Sequence, residues 1–162
     1  MDLTLPLDHH AIERILLHRY PFLLVDRVTE LEIDTRIVGI KNVSSNDHYL
    51  SPEASGISVF PPTLLTESIA QVGAILILAK PENRQRLPLL AGIKRFRFRR
   101  PVLPGDVVEI EALVVRLGSR MGVLKGVARV NGAVVAEGMM TCALGPAQSL
   151  GRGESAVSSA AP

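Results

Sequence analysis

The longest helical pattern in the chain is PTLLTESIAQVGAILILA, residues 62–79, where apolar side chains recur at helical spacing and then, through VGAILILA, surround the helix on every side. Proline is tolerated in a first helical turn and Pro81 stops the run, so the pattern predicts a helix from Pro61 or Pro62 to about Ala79. A helix apolar all round is one enclosed by protein. A membrane span is the competing reading. It fails on length, because the uninterrupted apolar run is shorter than the ~20 residues needed, and Glu67 and Gln71 stand just ahead of it.

Other periods flank this helix. DHHAIERILLHR places Ile12, Ile15 and Leu16 at helical spacing behind Asp8, a suitable N-cap, and predicts a short amphipathic helix ending before Pro21. FLLVDRVTELEID and RIVGIKNV read as extended segments joined by a turn at Asp34 and Thr35. Strand-like segments follow at regular intervals: LPLLAGIKRFRFRRPV, DVVEIEALVVRLG, GVLKGVARV and AVVAEGMMTCAL. VLPGDVV marks one turn between them, and Asn131-Gly132 is the signature of a two-residue type I′ hairpin. One long buried helix and about six antiparallel strands make an α+β fold in which a sheet wraps a single helix. Residues 1–145 form one domain on this reading, and residues 146–162, without periodicity or apolar anchors, read as a disordered tail.

Composition narrows the function. With 162 residues, 47% of them hydrophobic, and a mean hydropathy of +0.26, the chain can bury one substantial core and is too short for two ordinary domains. The sequence pI near 9.0 invites a nucleic-acid reading, but 16 acids accompany 18 bases and leave a net charge of only +2, so no nucleic-acid partner is expected. Cys142 stands alone, which suits a reducing compartment, and MDLTLPLDHH lacks the basic and apolar regions of a signal peptide. The expected location is the cytoplasm. His9, His10, His18 and His48 show no metal-ligand spacing and are assigned to helix surface and loop, so no metal is expected.

Residues four apart share a helix face, so Thr63, Glu67 and Gln71 form a polar stripe on an otherwise apolar rod. A buried carboxylate is costly unless it is paired, protonated or useful, which makes Glu67 a candidate for chemistry. The alternative is a solvent-facing Glu67 near the helix N-terminus, where the dipole favours acids by ~0.3–1 kcal/mol. In KRFRFRR, strand alternation puts Phe96 and Phe98 on one face and Arg95, Arg97 and Arg99 on the other. The arginines are either a solvated outer face or a docking patch for phosphates or an acidic carrier protein.

ILLHRYPFLLVDRV (residues 15–28), IKNVSSND (40–47), FPPTLLTESIAQVG (60–73) and IKRFRFRRPVLPGD (93–106) together resemble the bacterial β-hydroxyacyl-acyl-carrier-protein dehydratases, FabZ-like proteins, in collinear order over residues 8–143. The resemblance implies the hotdog fold, a curled antiparallel sheet around one long central helix. It also implies dimers, often assembled as trimers of dimers, with active sites at the dimer interface. The substrate it implies is a 3-hydroxyacyl chain on the phosphopantetheine of acyl carrier protein or coenzyme A, dehydrated in fatty-acid or related synthesis without a further cofactor. The family's glutamate falls on Glu67 and its loop histidine on Glu53; Gly56, Phe60, Thr63 and Gln71 fall on substrate-binding positions.

Two departures separate lineage from activity. Glu53 replaces an imidazole, whose reference pKa near 6.5 suits proton exchange better than the glutamate value of about 4.3. Pro62 stands where the family has a glycine and removes a backbone donor, a kind of loss that costs roughly 10²–10³ in rate in other enzymes. Three readings stay open on these residues: a dehydratase with altered machinery built on Glu67 and Glu53, a non-catalytic carrier-binding or scaffold subunit able to pair with an active homologue, and a hotdog thioesterase using Glu67.

Overall fold

Asp8 opens the first helix as its N-cap, accepting from Ala11 N at 2.8 Å, and α1 (His9–Ile15) turns Ile12 and Ile15 into the core. The computed structural model describes residues 3–52 and 56–146. β1 (Arg27–Glu32) and β2 (Arg36–Asn42) pair across Asp34, whose φ of 63° makes the turn. β3 (Ser51–Pro52) and β4 (Ser58–Val59) form a small ribbon ahead of α2 (Pro62–Ala79). A 3-10 turn at Pro81–Asn83 leads to β5 (Arg86–Phe98), β6 (Val107–Leu117), β7 (Met121–Val130) and β8 (Ala133–Pro146).

The expected α+β arrangement forms. Six strands make one antiparallel sheet in the order β1-β2-β6-β7-β8-β5, and α2 packs against β1, β2, β5, β6 and β7. This is the hotdog arrangement, with α2 as the filling. By length and composition alone α2 could cross a membrane, yet 78% of it is buried inside the protein, as a core helix is. Close approach is built into the sheet: a Cβ on Gly126 would stand 2.2 Å from Ile69 Cγ2, so only glycine lets β7 lie against the helix there. The β7–β8 hairpin turns at Asn131 and Gly132 with φ of 50° and 77°, the two positive angles that a type I′ turn requires.

β5 departs from simple alternation. Its pairing with β8 slips between Lys94↔Met139 and Arg97↔Glu137, leaving two residues opposite Gly138, and Arg95 takes a φ of 54° at the bulge. Phe96 and Phe98 remain neighbours with ring centroids 5.8 Å apart, and Phe96 lies so close over Gly138 that a Cβ there would meet its ring at 2.1 Å. Of the stretch read as a tail, Pro146 ends β8 opposite Arg86, and residues 147–162 lie outside the described residues.

Candidate active site

Gln71 is the joint on which the site is built. It is 1% exposed, and its Oε1 accepts from Leu24 N at 2.8 Å while its Nε2 donates to Phe22 O at 2.8 Å and to Glu67 Oε1 at 2.9 Å. A donor on one side and two acceptors on the other admit only one orientation of the amide. The loop of residues 16–24 is thereby stapled to α2. Arg19 holds the rest of that loop, its guanidinium donating to Leu16 O at 2.8 Å and His18 O at 2.7 Å, while Phe22 N and Leu23 N donate back to Arg19 O.

Glu67 lies one turn before Gln71 on the same face, with a side chain only 21% exposed. The oxygen that accepts from Gln71 also stands 3.5 Å from His18 Nε2. Glu67 is therefore neither solvent-facing nor isolated. His18 is 34% exposed, but its Nδ1 is buried with no hydrogen-bond partner among the described residues, so Nε2 is the nitrogen that faces the carboxylate. Phe22 leans on the imidazole at 6.1 Å between centroids. The cleft they share has a volume of about 260 Å³, with Ala70 and Ala74 on the helix side and Leu89 and Leu90 on the strand side. Cys142 also lines it, and burial pushes its thiol up, so it is a neutral apolar wall and no nucleophile. The arrangement is polar at one end and apolar at the other, which suits a proton transfer at the head of an acyl chain.

The polar stripe of α2 divides in the structure. Gln71 and Glu67 are brought together, while Thr63 is exposed in the first turn and does not line their cleft. Leu65 N is bonded to Pro61 O at 3.0 Å, and Pro61 offers no capping side chain, so the amides of Thr63 and Leu64 begin the helix without intrahelical acceptors. Phe60 is 2% exposed, pairs its amide with Val102 O at 2.8 Å, and lines a separate cleft of about 320 Å³ with Pro62, Phe98 and Arg99. Gly56 is exposed at φ 79°, a left-handed conformation natural to glycine. Glu53 lies outside the described residues.

The four histidines lie on helix surface and loops, and one of them also enters the site. His9 and His10 lie on α1 near Glu13, and His48 is exposed against Tyr49, as surface and loop residues should. His18 is also in a loop, but its ring belongs to the Glu67 cleft. The sequence signal for it was its place in HRYPFLLVDR, next to the residues that Gln71 grips. Among the arginines, Arg95 and Arg97 border a shallow cleft of about 280 Å³ with Lys125, whereas Arg99 is bonded to Glu137 and holds that carboxyl below the usual range. Lys125 comes from β7, and no pattern along the chain places it beside these arginines. No group of three or more His, Cys, Asp or Glu that could hold a metal occurs among the described residues.

The chain is similar to known proteins along most of its length. The FabA-like domain model matches residues 16–139. The 3-hydroxyacyl-[acyl-carrier-protein] dehydratase FabZ of Moorella thermoacetica is 48% identical over 139 residues, 86% of this chain and 97% of that protein. The FabZ of Bacillus subtilis is 46% identical over the same share of this chain and 99% of its own length. Among solved structures, the dehydratase heterocomplex ApeI:P of Xenorhabdus doucetiae aligns with a TM-score of 0.71 at 20% identity, over 82% of this chain and 89% of that one. A hypothetical thioesterase with coenzyme A from Streptococcus pneumoniae aligns with a TM-score of 0.58 at 13% identity, over 74% and 84%. At such identities these two share the fold.

Proposed function

This chain belongs to the FabA-like family of bacterial 3-hydroxyacyl-acyl-carrier-protein dehydratases, and from that membership we propose that it eliminates water from 3-hydroxyacyl thioesters with machinery altered at Glu53 and Pro62. The observation that carries the proposal is Glu67, half-buried, held by Gln71 at 2.9 Å and set at the head of an apolar cleft. Elimination needs a proton taken from C2, a proton delivered to the departing hydroxyl, and support for the thioester oxygen. Glu67 is the proton-transfer group. The amides of Thr63 and Leu64 are the donors left at the start of α2, where Pro62 has none, one turn ahead of Glu67 and outside its cleft.

The substrate is carried on phosphopantetheine, either of acyl carrier protein or of coenzyme A, in fatty-acid or related synthesis. Arg95, Arg97 and Lys125 line a cleft of their own with Glu137, and the three cations fit an acidic carrier or phosphate. Arg95→Glu with Arg97→Glu should raise KM for a carrier-bound substrate about 10-fold at low ionic strength, the range of electrostatic steering. The effect should shrink with added salt and be absent with a simple pantetheine thioester; steady-state kinetics on both substrates would check it.

A homodimer completes the site. β5 is a 13-residue edge strand, and Leu89, Leu90, Ile93 and Phe98 on it are each 40% exposed or more. So long an apolar edge is a pairing surface. Leu89 and Leu90 also wall the Glu67 cleft, so a second copy paired along β5 would close it over the acyl chain. Ile93→Lys should shift sedimentation toward the monomer and lower turnover with it.

The test of the function is purified protein given short and medium 3-hydroxyacyl thioesters, with enoyl absorbance and free thiol both followed. Enoyl product without thiol release is the expected result. Thiol release without enoyl would show a thioesterase. Thioester binding without either product would show a carrier-binding or scaffold subunit, and Glu53→His with Pro62→Gly should then create dehydration.

A further inference from the structure

We propose that His18 is the second proton-transfer group of the Glu67 site, supplying from within the same chain the imidazole that position 53 lacks; the proposal rests on the dehydratase reading above. Its Nε2 stands 3.5 Å from Glu67 Oε1, and both side chains line one cleft. The buried Nδ1 edge leaves Nε2 as the nitrogen presented to that cleft. The loop that carries the ring is held twice over, by Arg19 bonding to the His18 carbonyl and by Gln71 tying Phe22 and Leu24 to α2 while holding Glu67 itself, and Phe22 leans on the ring. An imidazole placed by a loop that is fastened to its carboxylate partner is positioned as a catalytic pair must be.

The pair closes a balanced cycle. Glu67, as carboxylate, removes the proton from C2 of the 3-hydroxyacyl chain, and the electron pair of that C–H bond becomes the C2=C3 double bond. The C3–O bond breaks with its electrons on oxygen, and the imidazolium Nε2–H of His18 protonates that oxygen, releasing water. Glu67 has then gained one proton and His18 has lost one. Transfer across the 3.5 Å between them restores both, without an outside acid or base. Arg19, the cation next to His18 on the same loop, is committed to backbone carbonyls and to Glu13 at 3.9 Å. Two carboxylates, the arrangement that Glu53 and Glu67 would make, would need one of them to keep a proton against the repulsion of the other. A carboxylate and an imidazolium attract each other instead.

The experiment pairs kinetics with a measurement that needs no substrate. His18→Ala should lower kcat about 10²–10⁴-fold, the usual worth of a general acid or base, with KM little changed. Free imidazole should restore part of the lost kcat in His18→Ala and none in Glu67→Gln; His18→Gln serves for the kcat arm should the alanine variant fail to fold. Separately, at one fixed pH, the NMR signals of the His18 ring should shift between the wild-type protein and Glu67→Gln, since the carboxylate stands 3.5 Å from Nε2. Wild-type kcat in His18→Ala, a lost kcat that imidazole does not restore, or His18 ring signals indifferent to Glu67→Gln would overturn the pair. Enoyl formation by the wild type alongside any of these leaves the dehydratase reading standing and sinks only the role of His18. His18 ring signals that respond to Glu67→Gln, in a protein that forms no enoyl product, overturn the dehydratase reading and the catalytic role together.

Discussion

Glu67→Gln should reduce formation of the enoyl thioester by about 10²–10⁴-fold, the range for removing a general acid or base. On the scale of about 1.4 kcal/mol per decade, that is roughly 3–5 kcal/mol of transition-state stabilisation. The substitution is close to isosteric, and the new amide oxygen can still accept from Gln71 Nε2, which bonds Glu67 at 2.9 Å. The fold should therefore lose about 1 kcal/mol or less, the worth of one charge-assisted bond weakened to a neutral one. An inactive protein with an almost unchanged melting curve is the expected pair of results, read by enoyl absorbance and thermal denaturation. Retention of most of the wild-type kcat would remove Glu67 from the chemistry.

Gln71→Leu should combine a stability defect with a kinetic one. The buried amide serves three partners, Leu24 N, Phe22 O and Glu67 Oε1. Leucine fills the space and satisfies none of them. Leaving a buried donor or acceptor unpaired costs about 1–3 kcal/mol, so the backbone groups of Leu24 and Phe22 together imply a loss of roughly 2–4 kcal/mol. In a domain of this size that corresponds to a melting temperature lower by about 5–15 °C. kcat should fall as well, because the same side chain aligns Glu67 and fastens the loop that carries His18. Thermal melts and steady-state kinetics on one preparation would read both. A normal melting temperature would mean that the loop is held mainly by Arg19.

Much of the fold is legible along the chain because local signals agree with burial. The bounds of α2, Pro62–Ala79, coincide with the pattern that two prolines and an unbroken apolar run prescribe. The Asp8 cap and the Asn131-Gly132 turn are equally local, each needing only a few neighbouring residues to form. The bulge at Arg95 is not local: it exists because Lys94 and Arg97 find Met139 and Glu137 on another strand. Nor is the burial of Phe60, at a position where the resemblance implies substrate binding; its amide pairs with Val102 O on a distant segment and its side chain is 2% exposed.

The candidate site divides along the same line. The amino-acid sequence by itself determined the central helix, the sheet that wraps it, the family, and Glu67 as the acid to explain, because periodicity and motif spacing are properties of neighbouring residues. Only the tertiary structure decided what Glu67 meets. Gln71 reaches back 49 residues to Phe22, and through that contact a histidine from the loop after α1 comes to lie 3.5 Å from the carboxylate. Lys125 likewise joins Arg95 and Arg97 only once β7, β8 and β5 lie side by side. Contacts of that separation arise from how the sheet closes around the helix, and no period along the chain encodes them.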